Sequence, residues 1–171
     1  MTENTDGTVA YRTAVVIASW FGSGFVPKAP GTVGSLAALP LIWPLLYFSP
    51  LWLVVVVTIC LFLAGTWAAG VAGRAWGKVD HGSIVIDEVV GMILAVSIPF
   101  YLLGQWVDLP MVAAVSFVTF RCFDIAKPWP VSIIDRRMKT GMGVMLDDVA
   151  AGLYAGGVSA AILLAGLVIT L

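Results

Sequence analysis

A chain of 171 residues that is 60% hydrophobic and only 11% charged carries too few polar side chains to cover a soluble domain of its size. Its nine Lys and Arg against ten Asp and Glu give a formal charge of -1, and the cations form no stripe that would track a nucleic-acid backbone. Composition therefore predicts an all-α, polytopic integral membrane bundle with no nucleic-acid partner.

Residues 1–12 are polar and read as a disordered leader, which leaves 13–171 as a single membrane-embedded domain. Residues 13–26 form an apolar stretch after Arg12, but Glu3 and Asp6 precede it and no A-x-A cleavage pattern follows. The segment reads as a retained helix at the membrane interface rather than a secretory signal. Residues 33–48 contain Pro40 and Pro44 and predict a short, bent first span. Ser49-Pro50 then makes a tight turn into the cleanest crossing, residues 51–72. A third span over 89–107 and a fourth over 109–123 meet through Gly104, Asp108 and Pro110, and residues 149–170 form the last. The expectation is five spans, since each crossing needs roughly 20 apolar residues.

On this map all nine Lys and Arg residues fall at the end of the bundle that carries the N-terminus. The positive-inside rule makes that end cytoplasmic and puts the C-terminus outside. Trp52 and Trp106 are expected near the outer boundary, Trp76 and Trp129 near the inner one. Cys60 lies in a span and Cys122 stands beside Arg121, so neither supplies a zinc ligand set or a disulfide framework.

The cytoplasmic end also carries Asp80, Asp87, Glu88, Asp124, Asp135, Asp147 and Asp148. The doublets Asp87-Glu88 and Asp147-Asp148 are each expected where an apolar segment begins. Two unit charges about 4 Å apart repel by about 4 kcal/mol at an effective dielectric of about 20, so a converging cluster stays ionised only beside a cation. Oxygen donors suit Mg²⁺, and His81, the only imidazole, excludes a His-rich zinc site. An alternative is helix capping by Asp87 and Asp147. Neighbours on a helix diverge by about 100°, which favours Glu88 and Asp148, one step further in, as ligands.

Arg121, Asp124 and Lys127 recur at intervals of three, on one helical face if the fourth span extends that far. They present two cations and a carboxylate to a phosphomonoester, or form an internal salt bridge to Asp124; the spacing permits both. Thr32, in the Gly-bearing entry to the first span, and the Gly141-Met142-Gly143 turn are candidate anion contacts. Arg136, Arg137 and Lys139 are expected to face anionic headgroups.

The strings PKAPGTVGSLAALP, DHGSIVIDEVVGM, FRCFDIAKPWP and GMGVMLDDVAAG, in this order, resemble the signature of the phosphatidylglycerophosphatase A family. The resemblance runs from about residue 20 to about residue 157. It implies a bacterial inner-membrane enzyme that uses Mg²⁺ to hydrolyse the terminal phosphate of the phospholipid phosphatidylglycerophosphate, leaving phosphatidylglycerol. Its motif positions here are Thr32, Asp80, His81, Asp87, Glu88, Arg121, Asp124, Lys127, Asp135, Asp147 and Asp148. No Cys-x5-Arg loop and no Asp-x-Asp-x-Thr string offers a covalent route, so metal-assisted attack by water is the expected chemistry. In that scheme Asp87, Glu88, Asp147 and Asp148 hold the metal, while Arg121, Lys127 and Thr32 bind the phosphoryl group. Asp80, His81 or Asp124 serves as general base or leaving-group acid. The lipid is expected to enter sideways through a gap between spans, with Gly91, Gly152, Gly156 and Gly157 permitting close helix approach around it. The alternative is an ion-coupled transporter using the rim carboxylates, although the midplane, where such a protein would carry ionisable groups, is nearly devoid of them. A phosphoalcohol transferase would carry Asp on consecutive helix turns, a spacing absent here.

Overall fold

The computed structural model describes residues 5–129 and 131–170, and every regular element among them is helical. In chain order the helices are α1 (Thr5–Ala18), α2 (Pro30–Ala37), α3 (Leu39–Phe48), α4 (Leu51–Ala75), α5 (Ile86–Leu103), α6 (Leu109–Ala126), α7 (Val131–Arg137) and α8 (Gly141–Thr170). Five stretches are long and apolar enough to cross a membrane: α2 with α3, then α4, α5, α6 and α8. The expected number of spans is therefore present.

The physical chemistry of each span is legible in its residues. The run Val54-Val55-Val56-Val57-Thr58-Ile59 in α4 is β-branched and would favour strand in water. In hydrocarbon the backbone must satisfy its own hydrogen bonds, so it winds as a helix. The first span is jointed at Ala38, between α2 and α3, close to Pro40; Pro44 removes a further backbone donor inside α3. Pro50 starts α4, and Pro110 sits in the first turn of α6, where a missing N–H costs nothing. Helix α5 is the most enclosed span and packs against α2, α3, α4, α6 and α8.

Several boundaries differ from expectation. The polar segment expected as a loose leader is helical from Thr5, and α1 ends at Ala18 rather than near residue 26; residues 1–4 lie outside the described residues. α1 packs on α4, and Ala14, Ala18, Ala68, Ala69 and Ala72 are fully buried, small side chains that let the two helices approach. Docking of the alanine half holds the polar half in helix. The third span runs from Ile86 to Leu103 and ends at Gly104, whose φ of 54° combined with a ψ of -128° is a conformation that favours glycine.

The largest correction concerns α8, which starts at Gly141 instead of near residue 149. Thr140 caps it: the Gly143 amide donates to Thr140 Oγ1 at 3.2 Å and the Val144 amide to the Thr140 carbonyl at 3.1 Å. Asp147 and Asp148 consequently stand in the second turn, and Asp147 is not a cap. Likewise Val85 holds the cap position of α5, leaving Asp87 and Glu88 inside its first turn.

Candidate active site

Because successive spans alternate in direction, the starts of α2, α5 and α8 and the ends of α4 and α6 share one end of the bundle. There Asp87, Glu88 and Asp148 each offer one carboxylate oxygen within 4.8 Å of the other two. Glycine permits this approach. A methyl at Gly91 would lie 2.5 Å from the Phe120 ring and 2.8 Å from the Asp148 carbonyl oxygen, and one at Gly152 would strike the Gly91 carbonyl. α5 and α8 thus meet backbone to backbone one turn beyond the acids. Gly91 and Gly152 make the close helix approach expected of them, and they seal the α5–α8 seam. Gly156 packs on Ile98, while Gly157 has open space around it.

The electrostatics are unbalanced. Asp87, Asp147 and Asp148 are buried, and Asp87 Oδ1 and Glu88 Oε2 are buried with no hydrogen-bond partner among the described residues. A buried acceptor left unpaired costs on the order of 1–3 kcal/mol, and more if charged. Among the described ion pairs, Arg121 meets Asp124 and Glu88 and Lys127 meets Asp147, while Asp87 and Asp148 enter none. Such hard-oxygen donors with free lone pairs have the chemistry of a Mg²⁺ or Ca²⁺ site.

Arg121, on α6, joins the groups. Its Nη1 lies 2.7 Å from Asp124 Oδ2 and 3.9 Å from Glu88 Oε1, and donates to Ser35 Oγ at 3.5 Å. The internal salt bridge thus forms through Arg121, at i,i+3 spacing. Lys127 goes elsewhere: α6 ends at Ala126, Lys127 takes a left-handed φ of 43°, and its Nζ reaches Asp147 Oδ2 at 2.6 Å. This contact ties the end of α6 to α8.

The remaining sequence candidates are spread around this core. Exposed Asp80 shares with Asp147 and Lys139 a crevice of about 10 Å³, room for little more than one water. His81 packs against Trp76 with the rings tilted by 53° and their centroids 4.8 Å apart, and its Nδ1 accepts the Ser83 amide at 3.2 Å. Those contacts shape the loop before α5, and no described ion pair or hydrogen bond joins His81 to the carboxylates. Thr32 is half-buried and lines a cleft with Arg121. The side chain of Asp135 lies outside the described residues.

Two residues of α2 were missed. A methyl at Gly31 would collide with Glu88 Oε1 and lie 3.1 and 3.2 Å from the two terminal guanidinium nitrogens of Arg121. Ser35, one turn on, donates its hydroxyl to the Gly31 carbonyl at 2.8 Å and accepts from Arg121. The i,i+4 spacing of Gly31 and Ser35 in PGTVGS is the signal that could have marked both as one face.

Residues 16–163 match the family model described as Phosphatidylglycerophosphatase A. The chain belongs to the phosphatidylglycerophosphatase A family. Among its relatives, the Escherichia coli (strain K12) Phosphatidylglycerophosphatase A is 43% identical over 148 residues, covering 84% of this chain and 79% of that protein. The Haemophilus influenzae protein of the same name is 38% identical over 140 residues, covering 82% of each. A Bacteroides thetaiotaomicron protein named "Putative phosphatidylinositol-3-phosphatase" is 41% identical over 147 residues, 82% of this chain and 87% of that one. No solved structure matches the chain. As a member of the phosphatidylglycerophosphatase A family the chain is a phosphatase. The buried polar groups away from the acidic end fit an enzyme better than a transporter: Ser97, Ser116, Thr119 and Ser159 are neutral hydroxyls, two of which, Thr119 and Ser159, bond each other at 2.6 Å.

Proposed function

We propose that this chain hydrolyses the terminal phosphomonoester of phosphatidylglycerophosphate to phosphatidylglycerol and inorganic phosphate, with Mg²⁺, at the cytoplasmic face of the bacterial inner membrane. The observation that carries the reading is the buried Asp87, Glu88, Asp148 group, with two unpartnered carboxylate oxygens, set beside the Arg121 guanidinium. A cation on this group answers the unpaired acceptors, and a phosphate answers the guanidinium. Asp87, Glu88 and Asp148 would hold the ion. When bound, it supplies Lewis-acid polarisation of phosphoryl oxygens and makes a nearby water more acidic.

The protein's own residues then divide the work. Arg121 binds the phosphoryl oxygens and offsets the charge that builds on them, with Asp124 and Ser35 fixing the plane of its fork. Thr32 adds a hydroxyl at the edge of the same cleft. Asp124, held by Arg121 through its Oδ2, is the acceptor assigned to the proton of the attacking water. As water oxygen bonds to phosphorus, the bond to the glycerol oxygen breaks, and the proton taken by Asp124 passes to that oxygen, which leaves as a hydroxyl. Lys127 and Asp147 hold the rim of the site.

The gathering of every Lys and Arg at the site's end of the chain supports a cytoplasmic site, and the names of the Escherichia coli and Haemophilus influenzae relatives support the headgroup. Purified protein is incubated with phosphatidylglycerophosphate, phosphatidic acid or phosphatidylinositol 3-phosphate, with Mg²⁺ or chelator, and released phosphate is measured. Release from phosphatidylglycerophosphate above the other two, abolished by chelator, is the expected result. Preference for the inositol lipid would replace the substrate, and release in chelator would remove the metal.

A further inference from the structure

Between α2 and α6 lies an open cleft of about 580 Å³, lined by Thr32, Phe117, Val118, Arg121, Cys122 and Ile125 among others. Residues 118, 121, 122 and 125 fall on one face of α6, so the cleft is a stripe of two helical turns facing outward. Val118 and Ile125 are strongly exposed. α2 and α6 touch only lightly, whereas α5 and α8 are sealed by Gly91 and Gly152. The side of the bundle is thus open at this seam and shut at the seam the glycines occupy.

We propose that this cleft admits the lipid substrate sideways from the bilayer and holds an acyl chain while the phosphomonoester rests on Arg121. The inference rests on the proposed function and adds to it the route and the chain-binding surface. Charge complementarity selects the occupant. Arg121 is the charged residue in an otherwise apolar lining, with the Thr32 hydroxyl beside it, so the surface is cationic at one point and greasy along its length. That is the inverse of an anionic phospholipid. Three other apolar clefts among the described residues lack such a cation. Those of about 450 and 310 Å³ beside α4 carry no charged side chain, and one of about 420 Å³ near Trp106 carries Asp108, which repels phosphate. Arg121 also bonds Asp124 and approaches Glu88, so a phosphate on it sits at the carboxylate group without leaving the membrane edge.

Two measurements test this. Val118→Trp fills the cleft at a side chain that already faces outward, and Ile59→Trp fills the charge-free cleft on the other side of the bundle. Phosphate release is followed with a long-chain and a short-chain phosphatidylglycerophosphate. Val118→Trp should lower the long-chain to short-chain ratio of kcat/KM by about tenfold, and Ile59→Trp should leave it unchanged. An unchanged ratio in Val118→Trp, or a drop in Ile59→Trp, overturns the assignment. The second measurement needs no turnover. In Cys60→Ser protein, Cys122 is exposed in the cleft, and its alkylation by a maleimide is timed with a phosphonate analogue of phosphatidylglycerophosphate or with phosphatidylcholine. Protection by the phosphonate alone is expected. Equal rates with both lipids, in a protein that releases phosphate, would overturn the cleft and spare the reaction; protection without release would do the reverse.

Discussion

Glycine at position 31 is a functional choice, because its missing side chain leaves the space that Glu88 Oε1 and the Arg121 guanidinium fill. Gly31→Val should displace both groups by about an ångström and lower phosphate release by about 100-fold, while the melting temperature in detergent changes little. Activity near that of the wild type would show that α2 only covers the site. Arg121 offers a second test at this scale. Its fork serves Asp124, Ser35 and the proposed phosphate together, and a lysine ammonium has neither the reach nor the planarity to do so. Arg121→Lys should retain the charge and still lose about 100-fold in kcat, a loss that steady-state kinetics would separate from a change in KM.

At the scale of elements, the contact of α5 with α8 sets the distance between carboxylates supplied by two remote stretches of chain. Gly152→Ala drives a methyl into the Gly91 carbonyl and has no flexible side chain to displace, so it should destabilise the protein by about 1–3 kcal/mol and depress activity in parallel. Thermal unfolding in detergent reads the first effect and phosphate release the second; a variant that stays fully stable would mean the helices are not in register through Gly91. The elements also show what the sequence makes legible. The spans were readable because apolar runs bounded by Pro50, Gly104 and Pro110 leave few other arrangements. The start of α8 was not, since Gly141 and Gly143 read as a loop, while a cap on Thr140 and packing on α4 make them helix. The partner of Lys127 was hidden for a similar reason: a left-handed residue just past Ala126 redirects the side chain off the α6 face, and spacing alone cannot register that turn. Gly31 was missed because its role lies in contacts with residues far along the chain.

For the whole molecule, five membrane crossings would put the start of the first span and the end of α8 on opposite sides, with the acidic site at the end where α8 begins. A reporter fused after Leu171 should therefore be active only on the periplasmic side; activity in the cytoplasm would break the topology and the placement of the site with it. The same architecture explains why so few charged residues suffice. On the proposed function, the lipid's phosphate would already lie at the membrane edge, so the protein would need only to present carboxylates and a guanidinium at that depth and to leave one seam of the bundle open.

The most direct test is phosphate release from phosphatidylglycerophosphate by wild-type and Asp148→Asn protein over a Mg²⁺ titration, with folding checked by detergent-phase melting. The wild type should show saturable dependence on Mg²⁺, and the variant, folded to the same degree, should release none at any concentration. Release by Asp148→Asn with an unchanged Mg²⁺ dependence would contradict a divalent site shared by Asp87, Glu88 and Asp148.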